Sequence, residues 1–127
     1  MEKTQIEEAA LILERPPEPL IFDKKGLLER TMNDEKLAKD LIAIFLIEMS
    51  ECLKELSMYV ERRDFNNISY YAHKIKGASA NIGGVALSSS AEKMEKAAIE
   101  CEYNRIVTII SDIEKQFDIL TNHIKEV

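Results

Sequence analysis

Few residues in this chain have the chemistry of a reactive centre. Of its two histidines, His123 lies close to the C-terminus with no glycine or paired lysine beside it, and reads as solvated surface. His73 is set differently, within DFNNISYYAHKIKGASANIGG, where Lys76 and Gly77 stand at the third and fourth positions after it. If that stretch is a helix, Phe65, Ile68, Ala72, Ile75 and Ile82 fall in one apolar arc, with Ser79 among them. At about 100° per residue, His73 then points about 130° from the centre of the arc, outward. Tyr70, Gly77 and Ala80 share its face, and Lys76 lies between that face and the core. A glycine in mid-helix costs about 1 kcal/mol relative to alanine, a cost that the close approach of another surface would offset.

An outward imidazole with a cation one turn away, on a low surface, suits phosphoryl acceptance. Imidazole is neutral over much of the physiological pH range, so its ring nitrogen can attack without a general base. Lys76 would stabilise the incoming anion. In-line phosphoryl transfer is mostly positioning and electrostatics, so the domain that holds the acceptor can be chemically simple. Lys74 sits near the middle of the polar arc, where solubility explains it as well as docking does. Tyr70 would shape the rim of the patch or pack half-buried. Asn81, Gly83 and Gly84 are expected to end the helix, the two glycines in a way that only glycine makes easy.

The elements that must hold this face can be read around it. All three prolines (Pro16, Pro17, Pro19) form one cluster, and only four glycines occur. A strand-rich fold needs more turn residues than that, so an all-α fold is expected. Residues 1–20 read as an N-terminal extension or linker, with a weak helical pattern through Ile6, Ala10 and Leu13 stopped by PPEP. Residues 21–127 read as one domain. A short helix is expected at Lys25–Thr31 after Asp23. A long one follows Asn33 as N-cap, with Leu37, Leu41, Ile44, Phe45, Cys52, Leu53, Leu56 and Val60 on its buried face. The helix carrying His73 starts after Asp64 and runs from Phe65 to about Ile82. A third spans Val85 to about Glu100 with Leu87, Ala91, Met94 and Ala98 inward. The last, capped by Asn104, reaches about Ile124 and buries Ile106, Ile109, Ile110, Ile113, Phe117, Leu120 and Ile124. Short connections make these neighbours antiparallel: an up-and-down four-helix bundle with a short extra N-terminal helix.

Charge and composition narrow the function. A net charge of −6 and scattered basic residues argue against nucleic acid as a partner. Cys52 and Cys101 both fall in predicted helices without metal spacing, and read as small buried thiols in a reducing compartment. The apolar run Leu41–Ile47 is too short to span a bilayer, and the acidic N-terminus is unlike a signal peptide. The expectation is a cytoplasmic domain without direct membrane contact, and a self-contained bundle is by default a monomer.

The stretch AHKIKGASANIG (Ala72–Gly83) resembles the histidine phosphotransfer (HPt) family pattern, with Lys at the third position after the histidine and Gly at the fourth and tenth. The lead-in from Phe22 to Met49 is similar to the first helices of the C-terminal HPt domains of hybrid sensor histidine kinases. The resemblance covers roughly residues 20–125 in helix order and length. It implies a passive relay in two-component signalling. His73 would take a phosphoryl group from the aspartate of one response-regulator receiver domain, on the ring nitrogen farther from the backbone, and pass it to another. Lys76 would stabilise it, and Tyr70, Lys74, Gly77 and Ala80 would meet the receiver, which would bring the magnesium. No intrinsic cofactor or metal is expected. A hybrid sensor kinase in cis is a further expected partner, since the proline-hinged N-terminus leans toward a piece of a larger protein.

Three rival readings fare differently. A carboxylate-bridged metal bundle needs Glu-x-x-His pairs, and neither histidine has Glu three residues before it. The phosphoacceptor domain of a sensor kinase usually has an acid directly after the histidine and a proline five residues on, where this chain has Lys74 and Ala78. A binding-only adaptor with the same bundle stays open, because binding and transfer would use one face. No GxGxxG or Walker-type GxxxxGK occurs, so no autokinase activity is expected.

Overall fold

Five helices make up the computed structural model, which describes residues 19–125: α1 (Lys24–Arg30), α2 (Glu35–Glu61), α3 (Phe65–Ile82), α4 (Val85–Ile99) and α5 (Tyr103–Ile124). The helical pattern expected before Pro16 lies outside the described residues. Aspartates start the first three helices. Asp23, Asp34 and Asp64 accept from the main-chain N–H of Gly26 (3.0 Å), Leu37 (3.0 Å) and Asn67 (3.2 Å), each satisfying a donor that the helix itself leaves free. α4 and α5 begin at Gly84 and Glu102 without a side-chain cap.

Two expected caps are corrected. Asn33 does not cap α2; it follows Met32 in left-handed backbone (φ 61° and 54°), and Asp34 takes the cap position. Asparagine tolerates left-handed backbone, and a carboxylate suits the positive helix end. Asn104 lies inside α5 rather than before it.

α3 packs on α2 and α4, α4 on α5, and α5 returns to α2, closing the four long helices around a shared core. The stripes of α4 and α5 fall where expected. Leu87, Ala91, Met94 and Ala98 are buried, joined by Ser90 and Ala97, while on α5 Ile109, Ile110 and Phe117 are only half-buried beside buried Ile106, Ile113, Leu120 and Ile124. The N-terminal half of α2 differs from expectation. It buries Ala38, Ile42, Phe45 and Met49, and exposes Leu37, Leu41 and Ile44. LIAIFLI is apolar all round, so periodicity leaves its rotation open and contact with α3 and α5 sets it. Cys52 is buried as expected. Cys101 is exposed, at φ 55° in the turn between α4 and α5, and not within a helix.

α1 closes one end of α3. The N–H of Asp23 donates to the Gly83 carbonyl (2.8 Å). The Arg30 guanidinium donates to the carbonyl of Asn81 (3.0 Å), which the helix end leaves free, and to that of Ala80 (3.3 Å), which also accepts from the Gly83 N–H (3.2 Å). Gly83 ends α3 with φ 87°, and the Gly84 N–H closes its last turn by donating to the Ser79 carbonyl (2.8 Å). A Cβ on Gly83 would also lie 2.6 Å from the Asp23 carbonyl oxygen. Asn81 is still helical, and Gly84, in ordinary backbone, serves as the N-cap position of α4. Gly84 is held small by packing, since a Cβ would come 2.8 Å from Leu120 Cδ2.

Candidate functional site

Burial of Ile68, Ala72, Ile75, Ser79 and Ile82 fixes the rotation of α3. Each fully buried isoleucine contributes about 1.5–3 kcal/mol, so turning the helix to cover His73 would forfeit several such contributions. The imidazole therefore stays out, with its side chain 70% exposed.

It is not alone there. Glu95 reaches across from α4, one carboxylate oxygen 2.7 Å from His73 Nδ1 and the other 3.4 Å from Lys76 Nζ. Its neighbour Met94 is buried, which sets Glu95 at the margin of α4 that faces α3, where its side chain is only 18% exposed. Ser88 Oγ donates to the Lys76 carbonyl (2.9 Å), tying the two helices together beside the site. Lys76, expected to extend over the imidazole, is instead paired with the carboxylate that holds it. Among the described residues no side chain hydrogen-bonds His73 Nε2.

The remaining expected site residues divide between the two flanks of α3. Ala80 lies on the side toward α4, and Gly77 on the open outward face beside His73. Nothing lies within 4 Å of a Cβ built on Gly77, so no contact within the domain requires glycine there. Ala80 lines a shallow depression with Arg30, Ser88, Ser89 and Glu92. Tyr70 and Lys74 lean the other way. Tyr70 is exposed and meets Tyr71 edge-on, with ring centroids 5.1 Å apart, and Tyr71 stacks on Tyr59 of α2 at 5.5 Å. Lys74 shares a groove between α2 and α3 with Ile47, Glu48, Glu51, Glu55 and Tyr71. The exposed Ile44 and Ile47 extend an apolar surface along α2 that the sequence reading did not assign to the outside.

Glu95 is the residue that sequence reasoning missed. It is one of several acids on α4, and its partners are on another helix at a separation with no local period. The available signal was its position beside Met94 on the rim of an inward stripe. His123 is exposed, with Nδ1 2.9 Å from the carbonyl of Ile119 in its own helix. Among the described residues, no three or more His, Cys, Asp or Glu side chains are placed to hold a metal ion. None of the described helices is long and apolar enough to cross a membrane.

A sequence model of the Hpt domain matches residues 40–123, which takes in most of α2 and all of α3 and α4 together with nearly all of α5. The phosphorelay intermediate protein YPD1 of Candida albicans is 24% identical over 63 residues, half of this chain. The matched part is 34% of that protein, so the similarity spans about a third of its length. Among solved structures, histidine-containing phosphotransfer protein B of Pseudomonas aeruginosa PAO1 is similar with a TM-score of 0.78 and 25% identity, over 84% of this chain and 92% of that one. The HPT domain of an Hpt sensor hybrid histidine kinase from Shewanella shares the fold at a TM-score of 0.65 and 16% identity, over 84% of this chain and 96% of that one.

Proposed function

The chain belongs to the Hpt domain family, and from that premise we propose that His73 is its phosphoacceptor in a two-component phosphorelay. It accepts a phosphoryl group from the aspartate of one response-regulator receiver domain and passes it to the aspartate of another. The observation that carries this reading is the exposed imidazole whose Nδ1 is engaged by Glu95 while Nε2 is left unbonded.

The chemistry needs little from this chain. The phosphoryl group passes in line between a carboxylate oxygen and an imidazole nitrogen, and in such a transfer positioning and charge do most of the work. His73 presents the nucleophile, Lys76 supplies the nearby cation, and the low surface at Gly77 and Ala80 admits the partner's active site. Tyr70 and Lys74, with Ile47 beyond them, form a second contact flank on the α2 side. Magnesium belongs to the receiver in this reading, and the absence of nucleotide-binding motifs from the sequence supports a carrier without autokinase activity. The receivers are on separate chains or in a hybrid kinase in cis, and the setting is the cytoplasm. The bond from the Asp23 N–H to the Gly83 carbonyl supports counting the segment before α1 as one unit with the bundle, and the Ala86 N–H donating to the Leu20 carbonyl (2.8 Å) carries that unit back to residue 20.

A phosphotransfer assay with a radiolabelled phospho-receiver tests the reading. The parent should gain acid-labile, alkali-stable label, and His73→Gln should gain none. Label on the His73→Gln variant would move the acceptor elsewhere. Binding without label on either protein, across several receivers, would make the domain an adaptor.

A further inference from the structure

We propose that the segment from residue 3 to residue 14 docks on an exposed apolar stripe of α2 and competes there with the receiver domain. The stripe consists of Leu37, Leu41, Ile44 and Ile47, which recur every three or four residues and are 39–71% exposed. Exposed apolar rows of this kind mark interaction surfaces, and an amphipathic helix is one of their usual occupants. The row borders the groove that Ile47 shares with Tyr71 and Lys74. Whatever covers the row therefore also obstructs the flank assigned above to the receiver. That competition rests on the phosphorelay reading; the docking itself does not.

Position, reach and register select this occupant. The Leu20 carbonyl accepts from the Ala86 N–H (2.8 Å) and the Gly83 carbonyl from the Asp23 N–H (2.8 Å), where α3 ends and α4 begins. α2 runs antiparallel to α3, so Leu37 in its first turn stands at the same end of the bundle. Backbone around prolines favours an extended form of about 3.1 Å per residue, so the stretch from Leu20 back to Leu13 spans about 22 Å. That length crosses the end of the bundle, where neighbouring helices lie about 10 Å apart. Ile6, Ala10 and Leu13 stand at helical spacing. Running away from Leu37, antiparallel to α2, the segment sets Leu13 on Leu37, Ala10 on Leu41 and Ile6 on Ile44. The same register sets Glu14 beside Lys36 and Lys3 beside Glu48, opposite charges at both ends. A tethered segment also meets the stripe at an effective concentration on the order of millimolar, which favours it over a second copy of the chain.

Methyl NMR of the full chain tests the docking and needs no receiver. Cross-relaxation should connect the methyl groups of Ile6 and Leu13 with those of Ile44 and Leu37, at every protein concentration. A variant carrying both Ile6→Asp and Leu13→Asp should lose these contacts and shift the Ile44 and Ile47 signals. Lys36→Glu should weaken the contacts, and Glu14→Lys added to it should restore them. A site that is open in one molecule of three binds its partner about threefold more weakly, so the doubly substituted variant should bind a receiver at least that much more tightly. Absence of the contacts in the parent overturns the proposal, as does their loss on dilution, which would put a second copy on the stripe. Unchanged receiver affinity in the doubly substituted variant overturns the competition. Failure of the acceptor reading has a different mark: His73→Gln would still be labelled, with the methyl contacts intact.

Discussion

Replacing Gly77 by alanine should raise the stability of the domain and slow phosphotransfer at the same time. Gly77 is one turn beyond His73 in the interior of α3, and a Cβ built there meets nothing within 4 Å. The methyl group thus clashes with nothing inside the domain and is buried by nothing. What remains is the backbone term, about 0.8–1 kcal/mol in favour of alanine in a helix interior. For a domain of this size that corresponds to a melting temperature higher by about 3–6 °C, or a urea midpoint higher by about 0.5 M at a typical slope. The same methyl group would stand on the surface that a receiver must approach to bring its aspartate to Nε2. Displacing reacting atoms by an ångström can cost on the order of 100-fold in rate, so a loss of tenfold or more is expected. Thermal and urea unfolding, read beside transfer from a phospho-receiver, test both halves. A fall in stability would refute the account of the helix. Higher stability with an unchanged transfer rate would refute the claim that the glycine serves a partner.

Gly83→Ala should behave in the opposite way, losing about 1–2 kcal/mol for left-handed backbone alone and more from the 2.6 Å approach to the Asp23 carbonyl. Urea unfolding should show it, and faster hydrogen exchange in α1 would locate the damage. Cys101→Gly should stabilise the fold by about 1 kcal/mol, because Cys101 occupies left-handed backbone at φ 55°; an unchanged or lower unfolding midpoint counts against that. In the native protein a thiol reagent should modify Cys101 quickly and Cys52 slowly, since Cys52 is buried and burial pushes its thiol above the usual range. Equal rates would mean that the core between α2 and α3 opens readily.

Local chemistry made much of this molecule legible in advance. The proline cluster and scarce glycines indicated helices, and the bounds of α3 could be read from Asp64 and Gly83, because caps and left-handed glycine act within a turn of the positions they define. The outward direction of His73 follows from α3 alone: its apolar arc is narrow and leaves one rotation that buries it. The rotation of α2 does not follow in that way. LIAIFLI offers apolar residues on every side, and only packing on α3 and α5 selects Ala38, Ile42 and Phe45 over Leu37, Leu41 and Ile44. The αL turns were equally hidden, since Met32, Arg63 and Cys101 are poor candidates for positive φ and are held there by the helices they join. The site divides along the same line. The sequence by itself determined the proposed acceptor histidine, its outward direction and the low surface beside it, because all three are spaced along one helix. Only the tertiary structure decided what binds Nδ1 and where Lys76 rests, because Glu95 meets them across a helix interface whose register depends on packing between α3 and α4.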